Sequence, residues 1–266
     1  MFQPKSIDFS KTTVYSARSR TNLVNIANLR TPGAQPDNLF ESPEFDILVE
    51  KLNQAKVAEK TVTCFIGAHV IKCGLSRYLI WLMEHGYITH LASNGAGSIH
   101  DFELAYLGGT SEYVPTAIED GSFGMWEETG RWMNEAIRQG AARGYGYGQS
   151  LVAYVEENSE KFPYKEDCVF YRAYQMGIPM TYHVTIGTDI IDQHPYADFA
   201  AIGQTSGVDF GYFCHSISAL EGGVHMNIGS AVTGAEVFLK ALSIARNQGH
   251  STQHITTANF DIIPLG

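Results

Sequence analysis

The stretch T-V-T-C-F-I-G-A-H-V-I-K-C-G-L-S-R-Y-L-I-W-L-M-E-H-G-Y, residues 61–87, decides the fold. Its first six residues are β-branched, apolar or aromatic, which suits a strand buried on both faces, and Gly67 ends the run. Leu75, Leu79, Leu82 and Met83 then recur at helical spacing over 75–85, with Gly86 as the stop. The same alternation continues outward. Residues 87–93 read as a strand, Asn94-Gly95-Ala96-Gly97 breaks it, and Ser98 is expected to cap a helix whose free amides Asp101 would meet. Further strands are expected over 179–186, 225–228 and 252–258, and helices from Ser42-Pro43, over 125–158 with a break near 140–148, over 165–176 and over 232–246. Strands separated by helices need crossover connections. The reading is therefore a single α/β domain, its mostly parallel sheet covered by helices on both faces. Thr31-Pro32-Gly33 and Pro36-Asp37-Asn38 make a turn-rich stretch that separates an N-terminal arm, 1–40, from the domain, 41–266.

Composition narrows the function. Only 18 basic and 28 acidic residues occur in 266, while 44% are apolar, so a large interior or large subunit contacts are expected. A net charge of −10 argues against a nucleic-acid partner, whose phosphates demand a surplus of Lys and Arg. The best basic group is the sparse trio Arg18, Arg20 and Arg30. No apolar run approaches the roughly 18 residues that span a bilayer, and the first ten residues lack an apolar signal core, so a cytoplasmic protein without a membrane partner is expected. Cys64, Cys73, Cys168 and Cys214 form no C-x-x-C pair and are read as reduced cysteines in a packed interior.

Three predicted strand ends share a design: F-I-G-A-H at 65–69, S-N-G-A-G-S at 93–98 and N-I-G-S-A at 227–231. Small residues between a strand and a helix let a ligand approach the backbone, and in a parallel sheet all three loops lie on one edge. Together they point to a nucleotide site that includes Gly229 and Ser230, although none matches the G-x-G-x-x-G dehydrogenase fingerprint. A second constellation is polar. His183, Asp189 and His194, with His215 and His225 further on, follow the 179–186 strand and suit proton transfer or metal ligation, in no recognised zinc spacing. Trp126, Trp132, Tyr145 and Tyr147 are read as packing residues, since Trp126 and Trp132 do not share one helix face.

In order along the chain, the 61–87 stretch, S-N-G-A-G-S-I-H-D at 93–101, Y-R-A-Y-Q-M-G-I-P at 171–179 and I-T-T-A-N-F-D at 255–261 resemble the deoxyhypusine synthase family. His100-Asp101 falls at that family's His-Asp pair. The resemblance implies a Rossmann-like NAD-binding domain, usually a homotetramer with sites at dimer contacts, that oxidises a polyamine with NAD and carries an aminobutyl group on a lysine imine. It places NAD against Gly67, Ala68 and Cys73, against Asn94, Gly95 and Ala96, and against Thr257, Ala258 and Asp261.

The departures are as informative. The family's Trp-Gly-Lys segment is not found before Gly266, its Lys-His positions read Gly234 and Ala235, and its central Asp position reads Gly187, with Asp189 two residues on. A lysine imine needs an activated amine at the motif position, and neither Lys72 nor Lys240 stands there. The expectation is an enzyme that keeps the cofactor NAD, has changed its chemistry, and acts on a small amine, guanidine or amino-acid substrate with His183, Asp189 or His194 as acid–base groups. A metal-dependent hydrolase or lyase built on the same three residues, and a non-catalytic binding or assembly partner, are the alternatives.

Overall fold

The computed structural model describes residues 2–33 and 40–262; Pro36, Asp37 and Asn38 lie outside them. Strands β2 (Val62–Ile66), β3 (His90–Asn94), β5 (Met180–His183), β6 (Val224–Ile228) and β7 (Thr256–Phe260) form one wholly parallel sheet in the order β5-β3-β2-β6-β7. The α/β reading holds. A feature that the strand–helix alternation does not announce is a separate antiparallel pair, β1 (Asn22–Asn25) with β4 (Gly109–Glu112), which sets Asn22 opposite Glu112.

Strand alternation sorts the sheet into two faces. Cys64, Ile66, Leu91 and Met226 point to a core built with α1 (Pro43–Val57), α3 (Ser76–Glu84) and α8 (Val169–Gln175). Phe65 and Ala92 point the other way, against Phe213 and Ile217 of α9 (Phe199–Ser218) and Phe238 and Ala241 of α10 (Thr233–Asn247). Helices α4 (Gly95–Leu107), α6 (Glu127–Arg143) and α7 (Tyr147–Glu157) share a third apolar core with Tyr182. Asp209 of α9 seals the outer edge of β5, accepting from the Tyr182 amide at 2.7 Å and the Gly148 amide at 3.1 Å.

Several boundaries differ from the sequence reading. The helix after β3 starts at Gly95, and Asn94 caps it by accepting from the Gly97 amide at 3.0 Å; Ser98 lies inside and donates back to the Gly95 carbonyl. Asp101 serves α8 instead, accepting from the amides of Val169 at 3.0 Å and Phe170 at 2.9 Å. Strand β3 begins only at His90, because Tyr87 is drawn off to stack on Trp81. Strand β5 stops at His183, before an exposed loop over 185–188. Strand β7 lies later than expected, ending at Phe260.

Cys64 and Cys168 are buried as expected, whereas Cys73 is exposed at the end of α2 (Ala68–Lys72) and Cys214 is half-buried; all four are free thiols. Trp126 and Trp132 do pack: Trp126 is buried at the start of α6, and Trp132 stacks edge-on with Tyr106. Among the described residues no helix is long and apolar enough to cross a membrane.

Candidate functional site at the carboxyl edge of the sheet

The chain leaves β2 for β3 and β5 on one side and returns to β6 and β7 on the other, so strand order reverses between β2 and β6. Crossovers on opposite faces part at that point, and the crevice outside the carboxyl ends is where open α/β sheets bind ligands. Backbones meet closely there. The Gly67 amide donates to the Ile228 carbonyl at 2.8 Å, and a β-carbon on Gly67 would collide with the Gly229 carbonyl oxygen. Gly229 is exposed, left-handed (φ 67°) and has open space where a side chain would be. Ser230 accepts from the Gly234 amide at 2.9 Å at the start of α10. The structure thus brings Gly67, Ala68, Gly229 and Ser230 together, with Asn94, Gly95 and Ala96 at the end of neighbouring β3.

Other expected contacts are dispersed. Cys73 stands at the far end of α2 from Gly67. Thr257 and Ala258 sit mid-strand, opposite His225 and Met226, because β7 runs on to Phe260; they line a separate cavity of ≈ 390 Å³ against Phe45 and Leu48 of α1. Asp261 follows β7 and is half-buried.

A second cavity, of ≈ 470 Å³, opens at the carboxyl edge beside the start of α4, and Lys72, Ala96, His100, Glu112 and Asp189 are among its lining. Asp189 precedes a short 3-10 turn, Ile190–Gln193, and its carboxylate lies over the first residue of α4: a β-carbon on Gly95 would run into it. Burial, and then the neighbouring Asp192, push its pKa up to about 7. A carboxyl group poised there can accept or donate a proton at neutral pH. His100 holds Thr110 Oγ1 through Nδ1 at 2.7 Å, and burial draws it down to about 4, so the ring is neutral at pH 7.

Behind these groups stands a satisfied ion pair. Arg20 makes a two-pronged contact with Glu103 at 2.9 and 2.8 Å, and Thr110 and Thr129 donate to the same carboxylate. The two side chains are 3% and 1% exposed, so the pair forms the wall rather than a free binding group. Glu112 accepts from the Gly124 amide at 3.0 Å, and burial raises its pKa. Ser111, also in the lining, adopts a left-handed backbone (φ 65°), a costly conformation for a non-glycine residue and one that clusters at ligand sites.

Of the three expected acid–base residues, only Asp189 reaches this cavity. His183 is buried on the sheet face with its Nε2 3.1 Å from Thr181 Oγ1, flanked by Phe65 and Phe213, and burial lowers it to about 4. His194 is fully buried, its Nε2 2.8 Å from the Gly124 carbonyl and its ring against Gly130. Among the described residues, no three His, Cys, Asp or Glu side chains converge to hold a metal ion. In the sequence, Arg20 stands out only within the sparse basic trio, without a role, and Glu103 and Glu112 do not stand out; the nearby His100-Asp101 pair is the other signal in their neighbourhood.

No protein-family profile matches the chain, and no curated protein matches it in sequence. Solved structures do. AgrE, in a ternary complex with ornithine and NAD+, superposes with a TM-score of 0.52 at 16% identity, over 85% of this chain and 29% of its own. ArgZ, an arginine dihydrolase from the ornithine–ammonia cycle in cyanobacteria, gives 0.50 at 13%, over 84% of this chain and 30% of its own. The chain therefore spans about three tenths of those proteins. A putative deoxyhypusine synthase from Entamoeba histolytica covers 69% of this chain and 74% of its own at 12% identity, with a TM-score of 0.40, too loose a fit to bear on family. At these identities the likeness establishes the fold: a Rossmann-like parallel α/β domain.

Proposed function

We propose that this chain binds NAD at the β2/β6 crevice and acts on a small cationic amine or amino-acid-like substrate in the adjoining cavity. The observation that carries the reading is the reversal of strand order at Gly67 and Gly229, one five-residue helix away from a cavity that holds a carboxyl group titrating near neutrality. The residues fit a dinucleotide at Gly67, Ala68, Gly229 and Ser230, where Gly229 leaves open space beside exposed backbone. They fit phosphate less well at Asn94, Gly95 and Ala96, because Asp189 already covers the start of α4. An ammonium group suits that position instead. AgrE, which shares this fold over 29% of its own chain, was solved with both ornithine and NAD+, and that pairing supports the reading.

NAD would supply a hydride acceptor. Asp189 would attract the cationic nitrogen and, with its pKa near 7, take up the proton released when the adjacent carbon is oxidised. His183 and His194 do not line the cavity and take no part in that step in this reading. Aminobutyl transfer through a lysine imine is not part of this reading. A homotetramer, as the resemblance implies, is, and so is the cytoplasmic setting expected from the sequence.

Calorimetric titration with NAD tests the proposal: we expect saturable binding that weakens in Gly229→Asn, a residue that tolerates the left-handed backbone and whose side chain would enter the open space. No heat up to millimolar NAD would remove the cofactor from the reading.

A further inference from the structure

Not all the charges that line the 470 Å³ cavity are paired within the protein. Arg20 and Glu103 neutralise each other in the wall. His100 is neutral. Glu112 accepts from the Gly124 amide, feels the Arg20 charge and has its other carboxylate oxygen sealed beside Trp126, so what remains is one cation, Lys72, and one carboxyl group, Asp189. Lys72 is half-buried and has no hydrogen bond or ion pair among the described residues, so it and Asp189 share the cavity without closing on each other. An unpaired cation opposite an unpaired carboxyl group is complementary to a ligand that carries both signs. Ile99, Phe123 and Ile190 add apolar lining against which methylene groups can lie.

We infer that this cavity takes an amino acid, its carboxylate held by Lys72 and a cationic nitrogen by Asp189. The inference rests on the proposed amine site and sharpens it: a plain polyamine would leave Lys72 facing a like charge, whereas an amino acid pairs every charge in the cavity. Lys72 is thus a specificity-determining group, missed by motif because it lies at the end of α2 rather than in a conserved lysine segment of the resembled family.

The experiment compares probes that differ only in the carboxylate: L-ornithine against putrescine, and L-lysine against cadaverine, by calorimetry on the purified protein with and without NAD. We expect each amino acid to bind at least ~10-fold more tightly than its diamine. Lys72→Met should remove that advantage while leaving diamine binding unchanged or improved, and Asp189→Asn should weaken both classes. Circular dichroism confirms that each variant is folded. Equal or tighter binding of the diamines, an equal loss of both classes in Lys72→Met, or no binding of any probe at millimolar concentration would overturn the inference. NAD alone is titrated in parallel: amino-acid preference without NAD binding sinks only the cofactor reading, and NAD binding without amino-acid preference sinks only this one.

Discussion

Two sets of titratable side chains lie close together in this molecule and behave as opposites. Under α9 and α10, the sheet carries His90, His183 and His225 in a closed row. His90 bonds Ser216 at 2.7 Å and Thr181 at 3.0 Å, and His225 bonds Thr63 at 2.9 Å while its ring stacks on Phe238 at 3.9 Å. At the carboxyl edge, Lys72, His100, Asp189 and Glu112 surround open volume, and Lys72 and the Asp189 carboxylate face it without an ion pair between them. The difference lies in strand register. Positions alternating along a buried strand seal whatever side chain they carry, whereas residues just past a strand's end face the crevice. A histidine inside a strand is therefore a poor functional candidate, and an aspartate in the loop beyond is a good one.

The sharpest way to break the open region is to unpair its wall. Glu103→Ala strands Arg20 in a site where its side chain is 3% exposed, and we expect a loss of about 3–5 kcal/mol in chemical denaturation. Parent-like stability would mean that the wall is wet, and that the contrast between wall and cavity is false.

The closed row has a pH signature. Burial lowers His90 to about 3 and His183 and His225 to about 4. The unfolded chain binds protons that these rings refuse, so their contribution is complete above about pH 6.5 and is lost as pH falls toward 4. His225→Phe, which keeps the stack on Phe238, should remove on the order of 2 kcal/mol of that acid-side dependence in a melting series. An unchanged slope would mean that the ring is hydrated.

The cavity carries the opposite sign. The Asp189 carboxyl is raised to about 7 in the fold, so its ionisation costs stability as pH rises from about 4 through 7. Asp101 and Asp209, raised to about 6 and about 7, act the same way, so the comparison must be made between variant and parent. Asp189→Asn should gain on the parent by on the order of 1 kcal/mol between pH 5 and 8, while amine binding falls. A variant less stable at both pH values would recast Asp189 as a structural cap.

The smallest effect is expected at Cys73. It is exposed, free and remote from Gly67 along α2, so Cys73→Ser should change stability by less than about 0.5 kcal/mol and leave NAD affinity intact. A clear drop in affinity would draw the cofactor site toward the cavity and merge the crevice with it.

Much of the scaffold was legible because strong local signals agreed with it. The β-rich runs ending at Gly67 and Asn94 became β2 and β3, and the Ser42-Pro43 pair opens α1 with Ser42 accepting from the Phe45 amide. Helix α9 was not legible. Gly203, Gly207 and Gly211 lower its helix propensity, and they face open space, so nothing in their own surroundings calls for a helix. What holds it is the opposite face, where Ile202, Thr205, Asp209, Phe213 and Ile217 are buried, Ile202 in the core shared with α6 and α7 and Phe213 and Ile217 against the sheet. Tertiary packing overrode propensity there. The antiparallel pair escaped for a related reason: four-residue strands 84 positions apart carry no mutual signal until Arg20 and Glu103 close the gap.

By itself the sequence determined the fold class, the carboxyl-edge loops and the presence of Asp189 beyond a strand, because each depends on residue type and spacing along a short segment. Only the tertiary structure decided which polar groups meet. It set His183 and His194 into packed surroundings, brought Lys72 and Asp189 into one cavity, and tied Arg20 to Glu103 across 83 residues of chain. Burial and charge pairing are properties of space rather than of order along the chain. A lysine at the end of a short helix therefore carries no sign of its role until the opposite wall is in place.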